Sequence, residues 1–181
     1  MIDIIKRALG LAWEMIETST FALGIFVVVY LFFFQVGIVN GASSYPTVID
    51  GERFITDKVS YRFHDPARGD FVVVNSPKNP NIDLIKRVVG LPGETIMISE
   101  GLVFVDGKYF QEDYLEPGVK TYPESFLQEK ITFTIPLNNF FVLGDNRSHS
   151  SDSRDFGPVP RELIVGKAVL IAWPLERFGQ L

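Results

Sequence analysis

No charged residue stands between Thr18 and Ile49, and inside that run "FALGIFVVVYLFFF" (Phe21–Phe34) is almost wholly apolar. Carried on to Val39, the stretch approaches the ~20 residues that a helix needs to cross a bilayer. Within lipid the backbone must satisfy its own hydrogen bonds, so a single span is expected to be a helix. A cleavable leader is a rival reading, but its apolar region is roughly 7–15 residues long. This one is longer and begins well inside the chain. A buried core helix would show a polar face, and Phe21–Phe34 has none. The expectation is a transmembrane helix over 20–39. Residues 1–19 are expected to form a cytoplasmic or interfacial helical segment, with Ile2, Ile5, Leu9, Ala12 and Ile16 at helical spacing.

Orientation follows from basic residues, since acidic ones count little in topology. Lys6 and Arg7 precede the span, and no Lys or Arg follows it until Arg53. That places the N-terminus inside and residues from about 40 onward outside the cytoplasmic membrane, as a single-pass protein.

Beyond residue 40 the pattern changes to short strands cut by Gly, Pro and Asp. "RFITDKVSY", "DFVVVNS", "LIKRVVGL", "TIMISEGLVFVDGKYF", "KITFTIP", "NFFVLGD" and "VGKAVLIAWP" read as β. The Asp-Gly pair in "VFVDGKYF" predicts a two-residue hairpin turn. The polar, Pro-punctuated stretch 111–130 reads as an excursion between two β blocks. The fold class expected is mainly β: an antiparallel catalytic core over 40–181, with 94–136 as a small inserted subdomain.

The sequence of 181 residues has no cysteine, which removes disulfides, thiolate chemistry and cysteine metal sites. Its two histidines, His64 and His149, lie far apart, so no metal is expected, and no organic cofactor is called for. A net charge of −5 and a pI near 5.1 argue against a nucleic-acid partner.

Directly after the span comes "NGASSYPT" (40–47), a loop with two adjacent hydroxyls. A serine is a weak nucleophile unless a base sits beside it. His149, with Asp145 or Asp152 as a third member, is one candidate base, although its surroundings suit a solvent-facing loop. The other lies in "IDLIKRVVGLPGE". As a strand this puts Lys86 among Leu84 and Val88, and Arg87 among Ile85 and Val89, on opposite faces. Arg stays charged and must find a carboxylate or solvent. A buried Lys can lose its proton, because desolvation lowers an ammonium pKa by up to ~3–5 units. It would then be a base near neutral pH. The bland alternative is a lysine that only snorkels its head group to the edge. A third stretch, "LGDNRSHSSDSRDFGPVP" (143–160), gathers Asp145, Arg147, Asp152, Arg154 and Asp155. Opposite charges at such spacing suggest an internal ion-paired lattice, of the kind that fixes a site's rotamers.

These three stretches, in this order behind an apolar span, resemble bacterial type I signal peptidases, membrane-bound serine proteases that remove signal peptides from exported proteins. The nucleophile box, roughly G-x-S-M-x-P-T, stands here as "GASSYPT". The lysine box, roughly K-R-V-x-G-x-P-G-D, stands as "KRVVGLPGE", and the third, G-D-N-x-x-x-S-x-D-S-R, as "GDNRSHSSDSR". The resemblance implies Ser43 as nucleophile and Lys86 as base. It also implies Ser150 as a hydroxyl touching the lysine amine, and Asp152 with Arg154 as a structural pair. Ser44 stands where the family has Met. Gly41 occupies a position at which some members carry an oxyanion-hole hydroxyl, so the Ser43 N–H must do more here. Ala42 and Tyr45 are implied as substrate-contacting positions, beside shallow pockets suited to A-x-A-like ends and strand edges able to pair an extended peptide.

The function implied is a Ser-Lys endopeptidase acting on signal-peptide-bearing precursors at a bilayer. Two rivals are a self-cleaving Ser-Lys protease and a membrane-anchored β-domain that binds precursors or partners without cutting them. The first would carry a DNA-binding helical domain, against which the span argues. Ser44 is the best support for the second.

Overall fold

The computed structural model describes residues 2–181; the side chains at 2–5, 8, 29 and 31, Ile2 and Ile5 among them, lie outside the described set. A single helix, α1 (Ile2–Phe33), takes up the N-terminal fifth of the chain. At 1.5 Å per residue it is about 48 Å long. Leu9–Val28 within it is long and apolar enough to cross a membrane. Its large side chains stand free of the rest of the protein, Phe21 being 72% exposed.

The helix does not reach Val39. It ends at Phe33, and Phe34–Ile38 is a strand, β1, so the expected 20–39 helix is corrected at its C-terminal end. Gln35 and Gly37 interrupt the apolar residues with a period of two, which suits a half-buried strand. β1 pairs antiparallel with β2 (Arg53–Asp57), setting Gly37 opposite Phe54. A Cβ at Gly37 would come within 2.3–2.9 Å of the Phe54 ring, so only glycine admits that ring. At the other end the helix runs unbroken through the segment assigned to 1–19, from Ile2 onward.

The remaining strands, in chain order, are β3 (Phe71–Asn75), β4 (Asp83–Gly90), β5 (Thr95–Ser99), β6 (Leu102–Val105), β7 (Lys108–Tyr109), β8 (Phe133–Thr134), β9 (Asn139–Leu143), β10 (Val159–Pro160), β11 (Ile164–Trp173) and β12 (Gly179–Gln180). The larger sheet runs β1-β2-β11-β3-β4-β9-β10, with β12 beside β11. The smaller runs β7-β6-β5-β8 and lies wholly within residues 95–134. All these strand pairings are antiparallel, as the mainly β expectation requires. The hairpin is where the Asp-Gly signal placed it: Val105 faces Lys108, and Asp106 and Gly107 both have positive φ, 49° and 72°, as a type I′ turn demands.

Three apolar clusters hold the two sheets. One, with Val89, Ile96, Ile98, Leu127, Phe141 and Leu143, joins the small sheet to β4 and β9. The other two lie on opposite faces of β3 and β4, Val72, Val74 and Val88 on one, and Phe71, Val73 and Ile85 on the other. β4 therefore presents two residues in sequence, Lys86 and Arg87, to different faces at the middle of the larger sheet.

Candidate active site

Lys86 faces Val72 across the β3–β4 ladder and is 1% exposed. Its Nζ lies 2.7 Å from Ser43 Oγ, and among the described residues that is its one hydrogen bond. Burial pushes the amine down from 10.5 to about 8; Asp152 and Asp145 oppose that shift weakly, and Arg154 adds to it. No carboxylate touches the amine, so desolvation wins. The snorkelling alternative does not hold, since the head group is inside.

The turn that carries Ser43 is held from several sides. Gly41 adopts φ +99°, a left-handed conformation that favours glycine, and its N–H donates to Asp50 Oδ1 at 2.7 Å. Asn146 takes two carbonyls of the turn: its backbone N–H donates to Ser43 O (3.1 Å) and its Nδ2 to Ala42 O (2.9 Å). Thr47 Oγ1 donates to Asp145 Oδ2 at 2.6 Å. Arg177 donates to Thr47 O at 2.9 Å and pairs with Glu52 at 2.5 Å. Ser43 N–H makes no hydrogen bond among the described residues.

Geometry separates the two adjacent serines. Ser44 is 2% exposed, and its Oγ donates to Ile85 O at 3.1 Å. Its hydroxyl is tied to β4 as a structural donor, so it is Ser43 that meets the amine. His149 is exposed, and among the described residues its ring bonds only its neighbour Ser148, at 2.9 Å, away from the Ser43–Lys86 pair.

Arg87, on the opposite face, has found its carboxylate: Nε and one Nη reach the two oxygens of Asp145 at 2.9 and 2.7 Å. The guanidinium also lies between the rings of Phe71 (4.3 Å) and Tyr114 (4.1 Å). Asp152 and Arg154 form a second buried bidentate pair, both contacts 2.8 Å. Asp152 also accepts from the Gly144 N–H at 3.0 Å and caps the short helix Ser153–Phe156. The lattice expected inside 143–160 is mostly not internal. Asp152–Arg154 is, but Asp145 pairs with Arg87, Arg147 with Glu112 and Asp155 with Lys78.

Ser150 departs from what the resemblance implied. It is buried, yet among the described residues its Oγ has no hydrogen-bond partner, Lys86 included. The side chain and the Ser43 carbonyl both crowd the point that a Cβ at Gly144 would occupy, within 2.1–2.5 Å, so that position admits only glycine.

A cleft of about 460 Å³ opens on the dyad. One wall is β1 and the residues after it, Gln35 to Asn40, the other Asn81 to Ile85, and Ser43 lies at its end. Two strand edges border it: β1 has a partner only on the β2 side, and the first residues of β4 extend past its pairing with β9. Neither Ala42 nor Tyr45 lines this cleft. Ala42 is exposed beside it, and Tyr45 faces a different hollow. The role of Asn146, the Thr47–Asp145 bond and the Glu112–Arg147 pair had no signature in the sequence beyond the polarity of their segments.

The profile of the family described as "Signal peptidase, peptidase S26" matches residues 12–173. The chain belongs to this signal peptidase family. It is accordingly a serine endopeptidase, a hydrolase of peptide bonds. It is similar to the signal peptidase I of Leptolyngbya laminosa, at 39% identity over 77% of this chain and 68% of that protein. Signal peptidase I P of Bacillus subtilis subsp. natto is 36% identical over 98% and 97% of the two chains. A crystal structure of a signal peptidase I from Enterococcus faecalis V583 is similar at 31% identity and a TM-score of 0.48, covering 57% of this chain and 97% of that one. The three boxes meet in space: Ser43, which lines the cleft, touches Lys86, and Asp152 of the third box holds the Gly144 N–H beside the Ser43 carbonyl.

Proposed function

We propose that the protein removes N-terminal signal peptides from exported precursors, with Ser43 as nucleophile and Lys86 as its general base. The observation that carries this reading is a buried, carboxylate-free amine 2.7 Å from a serine hydroxyl at the end of a cleft. An amine brought down to about 8 is partly neutral near physiological pH, and a base works best when its pKa lies near the working pH.

In the neutral state Ser43 Oγ–H donates to Lys86 Nζ. Lys86 takes that proton as Oγ attacks the scissile carbonyl, and the negative charge that develops on oxygen is met by the free Ser43 N–H. Lys86, now an ammonium, gives its proton to the leaving amine. A water deprotonated by the same lysine then attacks the acyl-enzyme ester and frees Ser43. Gly41 contributes conformation rather than a hydroxyl, which leaves the oxyanion one fewer donor. The segment before the cut lies extended between β1 and the start of β4, paired to their edges.

The N-terminus is placed inside and 40–181 outside, by Lys6, Arg7 and the absence of basic residues up to Arg53. Within that outer part, 94–136 is an inserted subdomain, a reading supported by a separate sheet over 95–134. The bilayer is a partner through α1, and the net charge of −5 gives nucleic acid no purchase. Incubating the detergent-solubilised protein with a precursor tests the reading. Cleavage lost in Ser43→Ala and Lys86→Ala but kept in Ser44→Ala supports it, and cleavage that survives Lys86→Ala removes the base.

A further inference from the structure

The nucleophile turn borders a second hollow, of about 480 Å³, lined by Tyr45 and Pro46 where the catalytic cleft is lined by Ser43 and Ser44. Tyr45 and Pro46 of the turn form one flank, Leu115, Val119 and Tyr122 the other, and Asn146 to Ser148 the floor. Three features make it a built surface. First, its apolar members are presented outward: Tyr45 is 51%, Tyr122 60% and Val119 39% exposed. Second, its charges are largely spent. Asp145 is saturated by Arg87, and Arg147, itself 3% exposed, by Glu112, Thr121 and the Gly144 carbonyl. Glu116 and Lys120 remain at the rim, with opposite signs, so no net field selects a charged ligand. Third, its far wall is tied to the nucleophile. Arg147 anchors Glu112 and Thr121, on either side of the wall, and the adjacent Asn146 holds the Ala42 and Ser43 carbonyls.

The catalytic cleft ends at Ser43, and this hollow begins at Tyr45. Consecutive Cα atoms are 3.8 Å apart, so the two lie within roughly 8 Å, the reach of about two residues of extended chain. A peptide laid across Ser43 from the first cleft emerges over the second. We infer that this hollow receives the first residues of the released, mature segment and selects an apolar or aromatic side chain about two or three positions beyond the scissile bond. The inference rests on the Ser43–Lys86 reading and adds to it a site for the leaving chain.

The test uses the full-length protein in detergent and three peptides with one signal-peptide sequence. After the cut, the first carries a single residue as its amide, the second five residues with Leu and Tyr at the second and third positions, and the third five residues of Gly and Ser. The unmutated protein should cut the second with the highest kcat/KM. Tyr122→Ala, whose side chain is mostly in solvent, should lower kcat/KM for that peptide by about ten-fold and leave the first and third unchanged; Val119→Ser should do the same more weakly. Equal rates for the three peptides with the unmutated protein, or a loss shared by all three in both variants, would overturn the site while leaving the dyad standing. No cleavage of any peptide by the unmutated protein would overturn the dyad reading and this inference with it.

Discussion

The two faces of β4 treat neighbouring cations in opposite ways. Arg87 is given a bidentate carboxylate and two aromatic rings. Lys86 is given a serine hydroxyl and an apolar surround, and its amine falls to about 8. The difference follows from chemistry as much as from position. A guanidinium cannot shed its proton, so burying it requires a counter-charge; an ammonium can, so burying it without one makes a base. One strand thus carries side by side a cation held by a carboxylate and one whose amine has none within hydrogen-bond reach among the described residues.

The contrast can be broken most directly at the reaction. Ser43→Ala and Lys86→Ala should each lower kcat/KM on a precursor peptide by on the order of 10³-fold or more, whereas Ser44→Ala should stay within about ten-fold of the parent. The next largest effect is expected at Arg87. Arg87→Met strands the fully buried Asp145 and should cost about 3–5 kcal/mol in urea unfolding.

Lys86→Met should move stability the other way. In the folded protein the amine's pKa is below its unfolded value, so the native state disfavours the proton that the unfolded chain holds. The penalty is full below about pH 8 and vanishes as pH rises through 10.5. The drop corresponds to about 3 kcal/mol, so the inactive Lys86→Met protein should be more stable than its parent by up to about that much at pH 7, with the gain gone near pH 11. A variant that is less stable at pH 7 would contradict the desolvated amine. If Lys86 is the base, as proposed, kcat/KM should rise with pH to a midpoint near 8 and fall about ten-fold per pH unit below it. The smallest effect is expected for Ser150→Ala. Because its hydroxyl bonds neither Lys86 nor anything else, that midpoint should stay where it is.

Much of this was legible in the residues. Most strands were, because Gly, Pro and Asp punctuate them, and so was the hairpin at Asp106-Gly107; the end of "RFITDKVSY" was not, since the strand stops at Asp57 and Ser60–Phe63 is a short helix, and "KITFTIP" keeps only Phe133–Thr134 as strand. Ser43, Lys86 and the Asp152–Arg154 pair were legible through their boxes, the last because two residues of separation already put the partners in reach. The end of the helix was not, since Gln35 and Gly37 read as minor interruptions of an apolar run until Phe54 is seen beside them. Nor were the partners of Asp145 and Arg147. Those pairs join residues 58 and 35 positions apart, and no local pattern says which distant charge will fold against which. Ser150 shows the limit of analogy: its place in the box was readable, but not the packing that leaves its hydroxyl without a partner.

The helix stops at Phe33, and the strand that starts at the next residue lines the cleft beside Ser43 from Gln35 on. Only the last five residues of the helix separate the apolar stretch Leu9–Val28, long enough to cross a membrane, from that strand. For a helix held in a bilayer, so short a junction would act as a ruler, setting the height above the lipid at which the cleft meets a peptide.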